Sequence, residues 1–209
     1  MKTRNPSLIL ALAITLAAAS LTGTTRADEA SFRAALKSIP AKYLADITLA
    51  KRDTFLRELA TDTTTHRLDA KNGWLHWFTD GGSAGGTSMI WAKELSRTGK
   101  APLLFVHMAK PFSGRMTGKP ATDQTFVLEP VGDEWVDITR TVIPSTIDLT
   151  LHFRTRKEDT TIEVAVWKDI APPGSGRQAY DFGERTHDLR WIGNGFVVEK
   201  PAAKKLTDN

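Results

Sequence analysis

Leu103-Leu104-Phe105-Val106 is an unbroken apolar run. A strand with one face in water alternates apolar and polar residues; a strand without alternation is covered on both faces. Such a strand belongs in the middle of a sheet, with a layer above and a layer below. The run closes the stretch 87–108. There Met89-Ile90-Trp91-Ala92 and the run flank a short polar segment, Ser96-Arg97-Thr98-Gly99-Lys100, which is a hairpin signal. Residues 87–95 taken alone also admit a helix; as the partner of the run they read as a strand.

The N-terminal part supplies one candidate layer. Phe32, Leu36 and Ile39 fall on one helical face, and Pro40 ends that helix. A second helix is expected from about Leu49 to Ala60, started by Asp46 or Asp53, with Phe55, Leu56 and Leu59 as its apolar stripe. From His66 onward the period is two. Asn72-Gly73 is a two-residue turn signal. Centring a hairpin on it pairs Ala70 with Leu75 and Leu68 with Trp77 on a core face. Lys71 with Trp74, Asp69 with His76, and Arg67 with Phe78 then share a partly wet face. After an irregular stretch, 111–123, further strands are expected at 124–128, 135–138, 147–154 and 162–167; Ile147, Leu149, Leu151 and Phe153 alternate with Asp148, Thr150, His152 and Arg154, and Ile162, Val164 and Val166 with Glu163, Ala165 and Trp167. A last hairpin, 188–199, centred on Asn194-Gly195, would set Arg190 against Glu199. The fold class is α+β: two short N-terminal helices on a mainly antiparallel system of eight to ten strands.

Residues 1–27 read as a signal peptide. Lys2 and Arg4 form a basic start, 8–19 is a short apolar run, and Thr25-Arg26-Ala27 offers small residues for cleavage. The run is too short for a comfortable membrane span. A single domain, 28–209, follows, expected in the periplasm or secreted, with no stable membrane anchor once the signal is removed. The chain contains no cysteine, so packing alone must hold it. The sequence carries 28 basic and 24 acidic residues. Cleavage removes Lys2, Arg4 and Arg26 and no acid, leaving 25 against 24. That near-balance, with no basic cluster interleaved with aromatics, argues against a nucleic-acid partner.

Asn72-Gly73-Trp74-Leu75, then Trp135-Val136-Asp137-Ile138-Thr139 with Pro144, and Leu189-Arg190-Trp191 with Gly195-Phe196 resemble patterns in a group of exported bacterial proteins of unknown function. The resemblance implies an antiparallel β protein outside the cytoplasm. It implies no activity, cofactor or site residue.

Candidate chemistry is sparse. Gly81-Gly82-Ser83-Ala84-Gly85 matches the G-x-S-x-G nucleophile elbow, and Asp148 and His187 follow in the required order. The elbow fold needs several strands before its serine, and only two helices and one hairpin precede Ser83. The glycines suit a flexible loop better. The same loop lacks the lysine of a phosphate-binding loop. Five histidines, His66, His76, His107, His152 and His187, form no metal-binding motif, so no metal or cofactor is expected. His107 reads as a core histidine. Asp69 opposite His76 could orient a base or ligate a metal, although a surface pair is the commoner outcome. Trp74, Trp77, Trp91 and Trp135 serve either a core or a peptide or carbohydrate groove. The expected function is therefore an exported, non-enzymatic binding protein for a protein, peptide or carbohydrate ligand. Its candidate ligand residues are Trp74, His76, Asp69 and Ser83. The alternative is a serine hydrolase using Ser83 or the Asp69/His76 pair.

Overall fold

The computed structural model describes residues 29–44, 47–59, 66–79, 88–109, 123–169 and 180–201. Residues 1–27, with the expected signal peptide, and residues 80–87, with Ser83, lie outside them.

Six strands run as an uninterrupted antiparallel meander: β1 (His66–Asp69), β2 (Trp74–Thr79), β3 (Ser88–Arg97), β4 (Lys100–Ala109), β5 (Asp123–Val131) and β6 (Glu134–Asp137). A second antiparallel sheet contains β7 (His152–Thr155), β8 (Thr161–Asp169), β9 (Tyr180–Trp191) and β10 (Phe196–Glu199), in the order β10-β9-β8-β7. Helices α1 (Glu29–Ser38) and α2 (Leu49–Glu58) precede the sheets, and a short helix, α3 (Thr139–Val142), follows β6. The α+β class is as expected, with one helix more.

Strand β4 lies third from one edge of the six-stranded sheet and is buried from Leu103 to Ala109. Its even positions, Leu104, Val106 and Met108, join Leu75, Ile90 and Ala92 under Phe32, Leu36, Ile39, Phe55 and Leu59 of the N-terminal segment. Its odd positions Leu103 and Phe105 join Phe153, Ile162, Val164, Leu189 and Trp191 of the second sheet. The molecule is thus helix layer, sheet and sheet, with an apolar core on each side of β4. Two indoles pin the sheets together: Trp74 Nε1 donates to the Thr155 carbonyl at 3.3 Å, and Trp191 Nε1 to the Ser96 carbonyl at 2.7 Å.

The helix layer is tied by a residue the amphipathic pattern hides. Arg52, on α2, is fully buried. Its guanidinium donates to the carbonyls of Leu36, Ile39 and Ile47, two of them at the C-terminal end of α1, where carbonyls lack helical partners. The positive charge there also suits the negative end of the helix dipole. Helix α2 begins after Thr48 rather than at an aspartate; Asp53 instead pairs with Lys37 across the two helices at 2.8 Å.

Four expectations are corrected. The β1–β2 hairpin pairs Leu68 with Leu75 and Asp69 with Trp74, not Leu68 with Trp77 or Asp69 with His76. Its loop has four residues because the Asp69 carboxylate accepts from the Asn72 backbone (3.2 Å) and side chain (2.8 Å), closing a 3₁₀ turn at Ala70–Asn72. Only Gly73 then needs positive φ (58°). The β9–β10 hairpin shifts in the same way, pairing Trp191 with Phe196, and the Arg190–Glu199 ion pair survives as a diagonal contact at 2.6 Å. Residues 147–151 form turns, because Asp148 accepts from the Thr150 backbone at 2.9 Å; strand begins only at His152. The alternation of β8 breaks after Val164: the register slips past Thr186, which bonds the Val164 carbonyl, so Ala165 is buried and Val166 exposed.

Arg52→Met keeps the long stem and removes the donors. We expect a loss of about 2–4 kcal/mol from stranding those carbonyls, read as a lower urea midpoint at unchanged slope. A midpoint equal to wild type would show that the carbonyls find other partners.

Candidate functional site

Two features stand out, and one cross-strand row leads from the first toward the second. The first is a cleft where β1 and β7, each the edge of its own sheet, lie near one another. Arg67, Leu68, Asp69 and Trp74 line one side; Arg154, Thr155, Arg156, Lys157, Glu158 and Glu163 line the other. The cleft holds about 550 Å³, within the usual range for ligand pockets. Trp74 sits here because its indole reaches across to Thr155, and Asp69 because it caps the turn beside it.

Charge in this cleft is organised around Glu163. Arg154, Glu163, Asp188 and Glu199 are successive cross-strand neighbours over β7 to β10. Three acids side by side would repel one another. Arginines between them reverse that: Arg154 donates to Glu163 at 2.6 and 2.9 Å, Arg156 at 2.9 Å and Arg185 at 3.1 Å, while Arg185 also binds Asp188. Burial pushes the Glu163 carboxyl up, but the hydrogen bonds and charge of these arginines outweigh it and hold the group below its ordinary range. Lys157 pairs with Asp69 at 3.3 Å, so the Asp69 carboxylate serves the turn and this lysine. The Thr155 hydroxyl is buried and has no partner among the described residues.

The second feature lies between the sheets. Reading across β1 to β5, Arg67, His76, Trp91, His107 and Thr125 are successive cross-strand partners on the face toward the second sheet. What the alternation marks as a partly wet face is the inter-sheet interior. His76 stacks on Trp91 with ring centroids 5.0 Å apart. At the middle of the row, β7 brings His152 onto Trp91 (4.8 Å, edge-on) and onto His107, and Asp123 enters from the start of β5. His107 Nε2 lies 3.1 Å from His152 Nδ1 and 3.6 Å from Asp123 Oδ2; His152 Nδ1 lies 3.2 Å from Asp123 Oδ2. All three side chains are at most 2% exposed.

The hydrogen bonds define the tautomers. The Phe153 backbone N–H points at His107 Nε2 at 3.4 Å, so that nitrogen accepts, and His107 Nδ1–H donates to Thr125 Oγ1 at 2.9 Å. His152 Nδ1 faces two acceptors, His107 Nε2 and Asp123 Oδ2, so it carries the proton. Trp167 Nε1 also donates to Asp123 Oδ2, at 2.8 Å. Burial dominates the His152 imidazole and lowers its pKa to about 4, against the raising effect of the Asp123 hydrogen bond. Burial pushes the Asp123 carboxyl up, and the two imidazoles outweigh that and lower it. At neutral pH the His152 imidazole is neutral and Asp123 is a carboxylate, and Asp123 Oδ1 is buried with no partner among the described residues.

Of the sequence candidates, Asp69 and Trp74 line the cleft and His76 stands in the interior row. Asp69 and His76 do not face each other. Ser83 is outside the described residues. His107 is a core histidine as expected, but it is one arm of a cluster. Sequence reading missed the other arms: His152 fell on the polar side of an apparent alternation, and Asp123 closed an irregular stretch. The available signal was His107 itself, since an imidazole buried at the end of an apolar run needs polar partners.

No family profile, no curated protein and no solved structure matches this chain.

Glu163→Gln leaves Arg154, Arg156 and Arg185 without their shared anion. A cost on the order of 2 kcal/mol is expected near neutral pH. A depressed carboxyl stabilises above its unfolded pKa and loses that contribution as pH falls through the folded value. The gap between wild type and variant should therefore stay constant at neutral pH and close as pH falls below the ordinary glutamate range, in denaturation curves at several pH values. A gap independent of pH into that range would contradict the assignment.

Proposed function

We propose that this protein is an exported binding protein that holds an acid-bearing polar ligand, an acidic saccharide, in the cleft between β1 and β7. The wall chemistry of the cleft carries the reading. Arg67 is exposed along the cleft, and Arg154, although it gives two donors to Glu163, has 47% of its side chain exposed. Guanidinium forks suit carboxylate and sulfate groups. The Asp69 carboxylate offers an acceptor to sugar hydroxyls, and Trp74 supplies an apolar floor. Among the described residues the lining holds no imidazole to activate a nucleophile, which favours the binding reading. Export rests on the leader signature of residues 1–27. Among the described residues no helix is long and apolar enough to cross a membrane.

Titration calorimetry with uronate-containing and sulfated oligosaccharides, each beside its neutral counterpart, tests the ligand class. Acid-bearing ligands should bind, with affinity falling as salt rises. Arg67→Ala and Arg154→Ala should each weaken binding by about tenfold, the cost of one charge-assisted hydrogen bond. Equal binding of neutral sugars, or indifference to both substitutions, would contradict the proposal. Intact-mass measurement of the exported protein should give a chain starting at or near Asp28; a retained Met1 would refute cleavage.

A further inference from the structure

We propose that His107, Asp123 and His152 form a binding site for a divalent first-row transition metal ion, with Zn²⁺ as the probe of choice. The site is independent of the cleft and of what the cleft binds.

Three observations converge. The first is geometric. Zinc sits about 2.0–2.2 Å from imidazole nitrogen and carboxylate oxygen, which places ligand atoms of a tetrahedral site roughly 3.3–3.5 Å from one another. The three separations here are 3.1, 3.2 and 3.6 Å. A point roughly 2 Å from all three atoms lies close to their common plane, so an ion fits with only small adjustments of the side chains.

The second observation is the unsatisfied oxygen. Asp123 Oδ1 is buried without a partner among the described residues. A buried carboxylate oxygen left unpaired is costly. An ion bound by both oxygens of Asp123 would satisfy it and add a fourth donor to the set.

The third is the support around the donors. Metal-bound histidines usually donate their second nitrogen to an oxygen, which fixes the tautomer and aims the lone pair. His107 does this: Nδ1–H is held by Thr125 Oγ1, and Nε2 faces the centre. Trp167 Nε1 holds Asp123 Oδ2, and Trp91 and Trp167 fix the His152 ring from two sides, at centroid distances of 4.8 and 3.8 Å. Two imidazoles and a carboxylate form a mixed nitrogen–oxygen set suited to zinc, iron, cobalt or nickel rather than to calcium or magnesium, which prefer all-oxygen shells.

The proton balance is simple. His107 Nε2 already presents a lone pair and Asp123 is already ionised. His152 must move one proton from Nδ1 to Nε2 to present its own. No net proton leaves the three residues, and the ion takes the place of the hydrogen bond that His152 shares with His107 and Asp123.

The test uses the mature chain without a polyhistidine tag, stripped with chelator and dialysed. Zn²⁺ binding is followed by calorimetry and by elemental analysis after gel filtration, and Co²⁺ by its visible absorption. One ion per chain is expected. Asp123→Asn, close to isosteric, should weaken Zn²⁺ binding at least 100-fold, and Thr125→Ala should weaken it less, by about tenfold. Near-UV circular dichroism of the tryptophans checks that each variant keeps the native interior. Anomalous diffraction at the zinc edge from wild-type crystals provides a readout that needs no variant, with a peak expected between the three side chains. Failure of the stripped wild type to take up Zn²⁺ or Co²⁺, an anomalous peak elsewhere, or binding unchanged in natively folded Asp123→Asn would overturn the proposal.

Discussion

Burial of β4 on both faces is the constraint on which the remaining layers depend. Leu104, Val106 and Met108 require the helix layer, and Leu103 and Phe105 require the second sheet. Each such side chain contributes about 1.5–3 kcal/mol on leaving water, so neither cover is dispensable in a chain without disulfides. The polar fastenings follow from that arrangement. Arg52 satisfies carbonyls that the helix layer brings into the interior, and Trp74 and Trp191 spend their N–H groups on carbonyls of the facing sheet. Once β4 is enclosed, His107, on the same face as Phe105, is enclosed with it. Its surroundings must then be polar enough to hold an imidazole, and His152, Asp123 and Thr125 provide this.

The faces of the first hairpin were legible in the sequence, and the registers were less so. Centring hairpins on Asn72-Gly73 and Asn194-Gly195 gives two-residue turns, whereas both loops have four residues. The shift moves each pairing by an even number of residues. Leu68, Leu75 and Trp77 therefore keep to one face and Arg67, Asp69, Trp74 and His76 to the other, although their individual partners change. What the pattern could not convey is that the Asp69 side chain competes for the turn by capping the Asn72 amide. Asp148 acts in the same way at 147–151, where a side-chain hydrogen bond replaces strand pairing despite clean alternation.

The candidate sites divide along the same line. Asp69 and Trp74 could be found from sequence because they flank a local turn that also borders the cleft. The interior centre could not, since its members come from β4, β5 and β7, and 45 residues separate His107 from His152. Periodicity within one segment carries no information about which distant strand will cover it. His107, a polar residue directly after the apolar run 103–106, was the local trace. It signalled that a partner was needed without identifying one.

The central claim is that the two sheets close on a preformed histidine–histidine–carboxylate centre with fixed tautomers. Long-range ¹H–¹⁵N correlation spectra of the imidazole nitrogens in the metal-free protein test it most directly. The hydrogen bonds predict that His107 and His152 both carry a proton on Nδ1, with N–H protons protected from exchange by the surrounding interior. His107 protonated at Nε2, or either ring averaging between tautomers as a solvent-exposed histidine does, would contradict the centre.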